Sequence, residues 1–214
     1  FAFLWQSRLM RETASIESTV HSRIDTALNR GRCGLWDWDL ASGRVVGAEA
    51  LLRWRLPGHG DIAPAQFIPL AEESRLILDI GAWVLNQVCS DYAVWQKSVA
   101  DPGRVAINLS LKELSQASFI PHCRSVFEQH GVSPSRVELE ITETTLMLDA
   151  AKTLPLLDEL RAMGVHLAID DFGTGYSSLS YLRKFPINVL EVDQSFVHEI
   201  SADPVDNSIV CAVI

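Results

Sequence analysis

The chain has 214 residues, 48% apolar and 21% charged, with a formal net charge of −9. That length suffices for one sizeable domain with a buried core. The negative balance excludes non-specific binding to DNA or RNA, which needs a basic surface, and it suits a carboxylate-lined site for a hard cation such as Mg2+, which takes oxygen ligands.

Residues 4–30 are expected to form one long helix. Leu9, Ile16, Val20, Ile24 and Leu28 recur at spacings of four and seven, and Gly31 is a fitting stop. Such a helix suits either a signalling coiled coil or the first helix packed on a barrel. Ahead of it, Phe1-Ala2-Phe3-Leu4-Trp5 opens the sequence without a methionine, so the sequence reads as a piece of something longer. The segment fits the tail of a membrane helix or an ordinary apolar helix start. No apolar run is long enough to span a bilayer.

From there the pattern alternates strand and helix. Strands are expected over 44–54, 105–109, 137–142, 165–170 and 189–192, with an extra one near Leu35–Leu40. Helices are expected over 67–73, 76–97, 118–129, 151–163, 177–184 and from 204 onward; Gly131 and Gly164 close two of them. Alternation of this kind implies a parallel sheet covered by helices, hence an α/β fold. A closed eight-fold barrel typically takes about 250 residues, so the expectation is an incomplete (β/α) TIM-like barrel, or an open sheet, preceded by an N-terminal helix.

The four cysteines, Cys33, Cys89, Cys123 and Cys211, share no metal-binding spacing and read as free thiols in a reducing cytoplasm. The six histidines show no ligand spacing and read as surface or structural residues.

The acidic residues are not scattered. Glu49, Asn108, Glu140 and the pair Asp170-Asp171 all fall within or at the ends of expected strands. In a barrel, the C-terminal strand ends converge on one mouth, so four strands would deliver five oxygen-bearing side chains to one place. That much negative charge in a cleft is destabilising alone, and a bound cation is its simplest compensation. Singly, each has a plainer explanation: Glu49 as a solvated outward position, Asn108 as a turn residue, the Asp pair as a loop or cap. The sharpest local motif is Asp170-Asp171-Phe172-Gly173-Thr174-Gly175-Tyr176-Ser177-Ser178, where two glycines let the loop fold back toward a ligand.

Glu49-Ala50-Leu51-Leu52-Arg53-Trp54 resembles the signature of the EAL family of cyclic di-GMP phosphodiesterases. Four further blocks follow in the family's order: Pro64 to Glu73, Ile107-Asn108-Leu109-Ser110, Glu138 to Glu143, and Asp170 to Ser178. The resemblance covers residues 40–214. It implies hydrolysis of one phosphodiester bond of cyclic di-GMP to the linear dinucleotide, with two Mg2+ or Mn2+ ions holding the attacking water. By position it implies that Glu49, Asn108, Glu140, Asp170 and Asp171 are metal ligands, that Glu49, Asp170 and Asp171 act in catalysis, that Glu143 braces the loop after Asp171, and that Arg53 and Leu51 face the substrate.

Three departures accompany the match. Glu191, in Leu190-Glu191-Val192-Asp193, stands where the family usually has a lysine near the catalytic water. An anion there disfavours both a hydroxide nucleophile and an anionic phosphate. The family's last two barrel strands, with a further glutamate ligand and a glutamine, would lie beyond Ile214. The opening Tyr-Gln-Pro strand is replaced by Gly34 to Leu40, and the stretch Arg23 to Arg44 resembles the start of a PAS sensor domain of a bacterial membrane kinase. The expected organisation is therefore an N-terminal helix with a PAS-like or linker segment over 1–39 and an EAL-like domain over 40–214, truncated before the last strands. The expected setting is the cytoplasm, or the cytoplasmic part of a membrane-anchored bacterial protein, with cyclic di-GMP as partner, no nucleic acid, and a homodimer or an upstream membrane or sensor domain left open. The alternative function is a catalytically inactive cyclic di-GMP receptor.

Overall fold

A computed structural model describes residues 34–39, 44–56, 60–98, 101–148, 150–172 and 184–192. The expected helices over 4–30 and from 204 onward, nearly all of that over 177–184, and the glycine-rich loop from Gly173 lie outside those residues, as do Cys33 and Cys211.

The main sheet has six strands: β1 (Gly34–Asp39), β2 (Arg44–Ala50), β5 (Arg104–Asn108), β6 (Val137–Thr142), β7 (His166–Phe172) and β8 (Val189–Val192), neighbours in that order. The pairs from β2 to β8 are parallel, and β1 joins β2 antiparallel at the outer edge. A separate two-stranded hairpin joins β3 (Trp54–Leu56) to β4 (Gly60–Ile62).

The single strand expected over 44–54 is two strands with a break. β2 ends at Ala50, and Trp54 begins the hairpin. Ala50, Leu51 and Leu52 are three apolar residues in succession, which cannot all face one core under a period of two. The hairpin itself was not expected; its signal is Pro57-Gly58, a turn dipeptide between the two short strands.

Helices follow the strands: α1 (Pro64–Glu73), α2 (Ile77–Ser98), α3 (Leu111–Leu114), α4 (Phe119–His130), α5 (Glu143–Leu148) and α6 (Ala150–Met163). The expected helix at 67–73 begins three residues earlier, because Pro64 sits at its first turn, where the missing N–H costs nothing. α4 ends at Gly131, whose φ of 64° is the left-handed cap that glycine adopts without strain. The short α3 and α5 were not expected, being too short to show a period.

Strand alternation divides the sheet into two faces. Val105, Ile107, Val137, Leu139, Ile141, Leu167 and Ile169 belong to one buried core with helix residues such as Leu85, Val88, Phe127, Leu157 and Leu160. The register puts Glu49 beside Ala106, Asn108 beside Glu140, and Thr142 beside Asp170 on the opposite face. The helices thus cover the apolar face, and the polar groups gather on the other, toward the C-terminal ends of the parallel strands.

Candidate active site

Glu49, one residue from the end of β2, is half-buried, and its Oε1 accepts a hydrogen bond from Asn108 Nδ2 at 2.8 Å. Burial raises its pKa first, the Asn108 bond opposes that, the negative Asp170 raises it further, and Arg53 lowers it. Asn108 is the last residue of β5, and the next residue, Leu109, donates its N–H to the Glu140 carbonyl at 2.8 Å. The rim of β5 is therefore tied on one side to β2 and on the other to β6.

Glu140 lies at the centre. It is 3% exposed, and its pKa is pushed up to about 9, first by burial and then by the negative charges of Glu191, Glu49, Asp170 and Glu138. Four carboxylates from four strands therefore act on this one side chain. Carboxylate oxygens of Glu138, Glu140 and Glu191 lie within 4.8 Å of one another.

At the end of β7 the chain departs from regular strand geometry. Asp171 has φ of 54°, and the pairing with β8 shifts register between Ile169 and Phe172. Asp170 Oδ1 accepts the Asp171 N–H at 2.7 Å. A break in strand pairing of this kind re-aims side chains. β7 also runs two residues beyond its expected end at Asp170.

The remaining expected residues take varied places. Glu143 opens α5 and is 1% exposed. Leu51 is half-buried, and Arg53 is exposed between β2 and β3, its Nη1 donating to the Leu52 carbonyl at 3.1 Å. Arg53 also lines a cavity of about 600 Å3 with Leu52, Trp54, Phe67, Leu70 and Trp83. Trp54 meets Phe67 edge to face with ring centroids 5.5 Å apart. Glu191, on β8, is half-buried against Glu138 and Glu140.

Sequence reasoning missed Glu138 as a member of this group. It is fully buried, with Arg104 Nε 3.7 Å from its Oε2. The signal was available: Glu138 and Glu140 are two residues apart on a strand and so share a face.

The donor set fits a hard divalent cation. Every candidate ligand atom is an oxygen, and the charge crowded around Glu140 calls for positive compensation. No helix among the described residues is long and apolar enough to cross a membrane.

The family model for the EAL domain matches residues 38–214. MucR of Pseudomonas aeruginosa, a bifunctional diguanylate cyclase/cyclic di-GMP phosphodiesterase, is 43% identical over 173 residues, which cover 81% of this chain and 25% of that protein. The cyclic di-GMP phosphodiesterase NbdA of the same organism is 44% identical over 175 residues, 82% of this chain and 22% of that protein. This chain thus spans about a quarter of the length of these curated relatives. A solved MucR phosphodiesterase in complex with c-di-GMP aligns with a TM-score of 0.75 at 39% identity, over 91% of this chain and 80% of that chain. The EAL domain of Mycobacterium smegmatis DcpA aligns with a TM-score of 0.61 at 34% identity, over 80% of this chain and 66% of that chain. The architecture is accordingly the α/β, TIM-like barrel type of those structures. Since the matching family model takes in β2 through β8 and with them the whole acidic rim, this chain belongs to the EAL-domain family.

Proposed function

We propose that this domain binds cyclic di-GMP and hydrolyses one of its phosphodiester bonds to give the linear dinucleotide, in a metal-dependent reaction slowed by Glu191. The observation that carries the reading is the convergence of Glu49, Glu140 and Asp170 on one rim, with Asn108 bonded to Glu49. The relatives MucR and NbdA support the substrate and the reaction.

In this reading Glu49, Asn108, Glu140, Asp170 and Asp171 would hold two Mg2+ or Mn2+ ions. When bound, such ions lower the pKa of water and neutralise charge on a phosphate. Asn108 orients Glu49 through its amide. Arg53, exposed at the rim, meets a substrate phosphate, and Leu51 and the apolar cavity beside it suit the face of a nucleobase. Glu143 braces the loop that follows Asp171. Glu191 adds negative charge beside Glu140, where negative charge is already in excess, and so opposes an anionic nucleophile and an anionic substrate alike.

The same glutamate favours a second reading, a receptor that binds cyclic di-GMP without turning it over. The proposed division is an N-terminal PAS-like or linker segment carrying a signal to an EAL-like domain in the cytoplasm, with the boundary ahead of β1 and not at residue 40, because Gly34–Asp39 pairs with β2 in the main sheet. A homodimer and a membrane anchor are not needed for it. The test is mass detection of the linear product with Mg2+ or Mn2+, run beside a binding titration on the same sample. Slow product formation with binding supports the enzyme, binding without product supports the receptor, and neither sinks both.

A further inference from the structure

Just past Asn108 the chain makes a turn held by one buried acid. Ser110, the residue preceding α3, donates its backbone N–H to Glu113 Oε2 at 3.1 Å and its hydroxyl to the same oxygen at 2.6 Å. The Glu113 N–H in turn donates to Ser110 Oγ at 3.3 Å. This reciprocal box satisfies donors that a helix start leaves open. Yet α3 is a single turn of four residues. The acid that makes the box is 7% exposed. The other side of the Glu113 carboxyl presses on Gly81 of α2, so closely that a Cβ at position 81 would overlap it. The carboxyl is thus gripped between the turn after β5 and the helix that packs behind it.

We propose that Glu113 is a positioning residue for Asn108: by locking Ser110, two residues beyond Asn108, against Gly81 of α2, it fixes where β5 ends and so where the Asn108 amide meets Glu49. The links are consecutive along the chain. Asn108 donates to Glu49, Leu109 is tied to the Glu140 carbonyl, and Ser110 is tied to Glu113. Three successive residues are each held to a different element, and Glu113 supplies the last hold. Without it the turn keeps the Leu109 bond and the Leu114 N–H to the Ser110 carbonyl but loses the acceptor for the Ser110 N–H and hydroxyl, and the amide gains freedom to leave Glu49.

The inference rests on the reading of Asn108 as a site residue only for its second readout. The first readout is the side-chain amide resonance of Asn108 in a metal-free 15N correlation spectrum, assigned by its loss in Asn108→Asp. Glu113→Ala is expected to shift or broaden that resonance, and Glu113→Gln, which keeps an acceptor for Ser110, to restore it. Val126→Ala in α4, a core truncation remote in sequence, is the control for stability loss alone and should leave the resonance in place. The second readout is Mn2+ binding followed by electron paramagnetic resonance. Glu113→Ala should weaken it by about tenfold, the usual effect of losing a group that orients a ligand, with Glu113→Gln near the parent. Ser110→Ala, which removes only the hydroxyl, is the milder variant should Glu113→Ala fail to fold, and it should move the amide in the same direction. An Asn108 resonance unmoved in Glu113→Ala and in Ser110→Ala overturns the proposal. A moved resonance with no Mn2+ binding in any variant keeps it and overturns the metal-site reading instead.

Discussion

Glu191 of β8 faces Glu140 of β6, and after burial it is the largest influence holding a proton on Glu140. Glu140 has a pKa of about 9 in the fold against 4.5 ordinarily. An acid whose pKa is raised by folding contributes stability that is fully present below its unfolded pKa. That contribution is lost as pH rises through the folded value. In EDTA, the stability of the parent relative to Glu140→Gln should therefore fall as pH is raised from 5 to 9, by up to about 1.4 kcal/mol per pH unit for one proton. Urea melts of the two proteins at matched pH measure it, and parallel profiles would contradict the assignment.

The Glu49–Asn108 bond at 2.8 Å leads to a second expectation. Glu49→Gln keeps the shape but removes a charge that a cation needs, whereas Asn108→Ala removes the group that orients Glu49. Glu49→Gln should weaken Mn2+ binding more than Asn108→Ala does, and Asn108→Ala should weaken it by about tenfold or more. Titration calorimetry with Mn2+ on both variants, checked for an unchanged circular dichroism spectrum, reads this out. Equal parental affinity in Asn108→Ala would remove Asn108 from the site.

Much of this site is legible in the sequence, because the signals are local. Asn108 and Asp170 each close an apolar run, Glu49 and Glu140 fall within their expected strands, and parallel strands bring their C-terminal ends to one rim. Glu138 is less legible because it lies mid-strand in Val-Glu-Leu-Glu-Ile-Thr and not at the rim end, although the period of two puts it on the same face as Glu140. The register shift at Asp170–Asp171 and the Gly81–Glu113 contact escaped for a different reason. The register shift is set by pairing with β8, and the contact joins residues 32 positions apart on separate helices. Neither leaves a periodic trace along the chain. The break at Ala50 belongs between these cases, since the triplet Ala50-Leu51-Leu52 signals an end of alternation but not where the chain goes next.

The thiols give a test of the core itself. Cys89 of α2 and Cys123 of α4 are fully buried and free, and burial pushes each thiol up to about 12. The thiolate is the reactive form, so both should resist a thiol reagent at pH 8 in the native protein and react once it is unfolded in guanidinium. Mass mapping of alkylated peptides assigns the labels to individual cysteines. Rapid native labelling of Cys89 or Cys123 would show that α2 and α4 do not pack as described.

The last expectation concerns turnover. In Glu191→Lys a cation replaces the anion that faces Glu140, so the proton on Glu140 is released more easily and the carboxylate is available at neutral pH. The same cation favours the anionic species that phosphodiester hydrolysis develops. Formation of the linear dinucleotide should rise by about tenfold or more, chiefly in kcat, with cyclic di-GMP affinity changed far less because Arg53 and the apolar cavity are untouched. Glu191→Gln, which removes repulsion without adding attraction, should fall between the two. If Glu191→Lys and Glu191→Gln both turn over cyclic di-GMP at the parental rate, the charge at this position does not limit the reaction, and the proposed slowing by Glu191 fails.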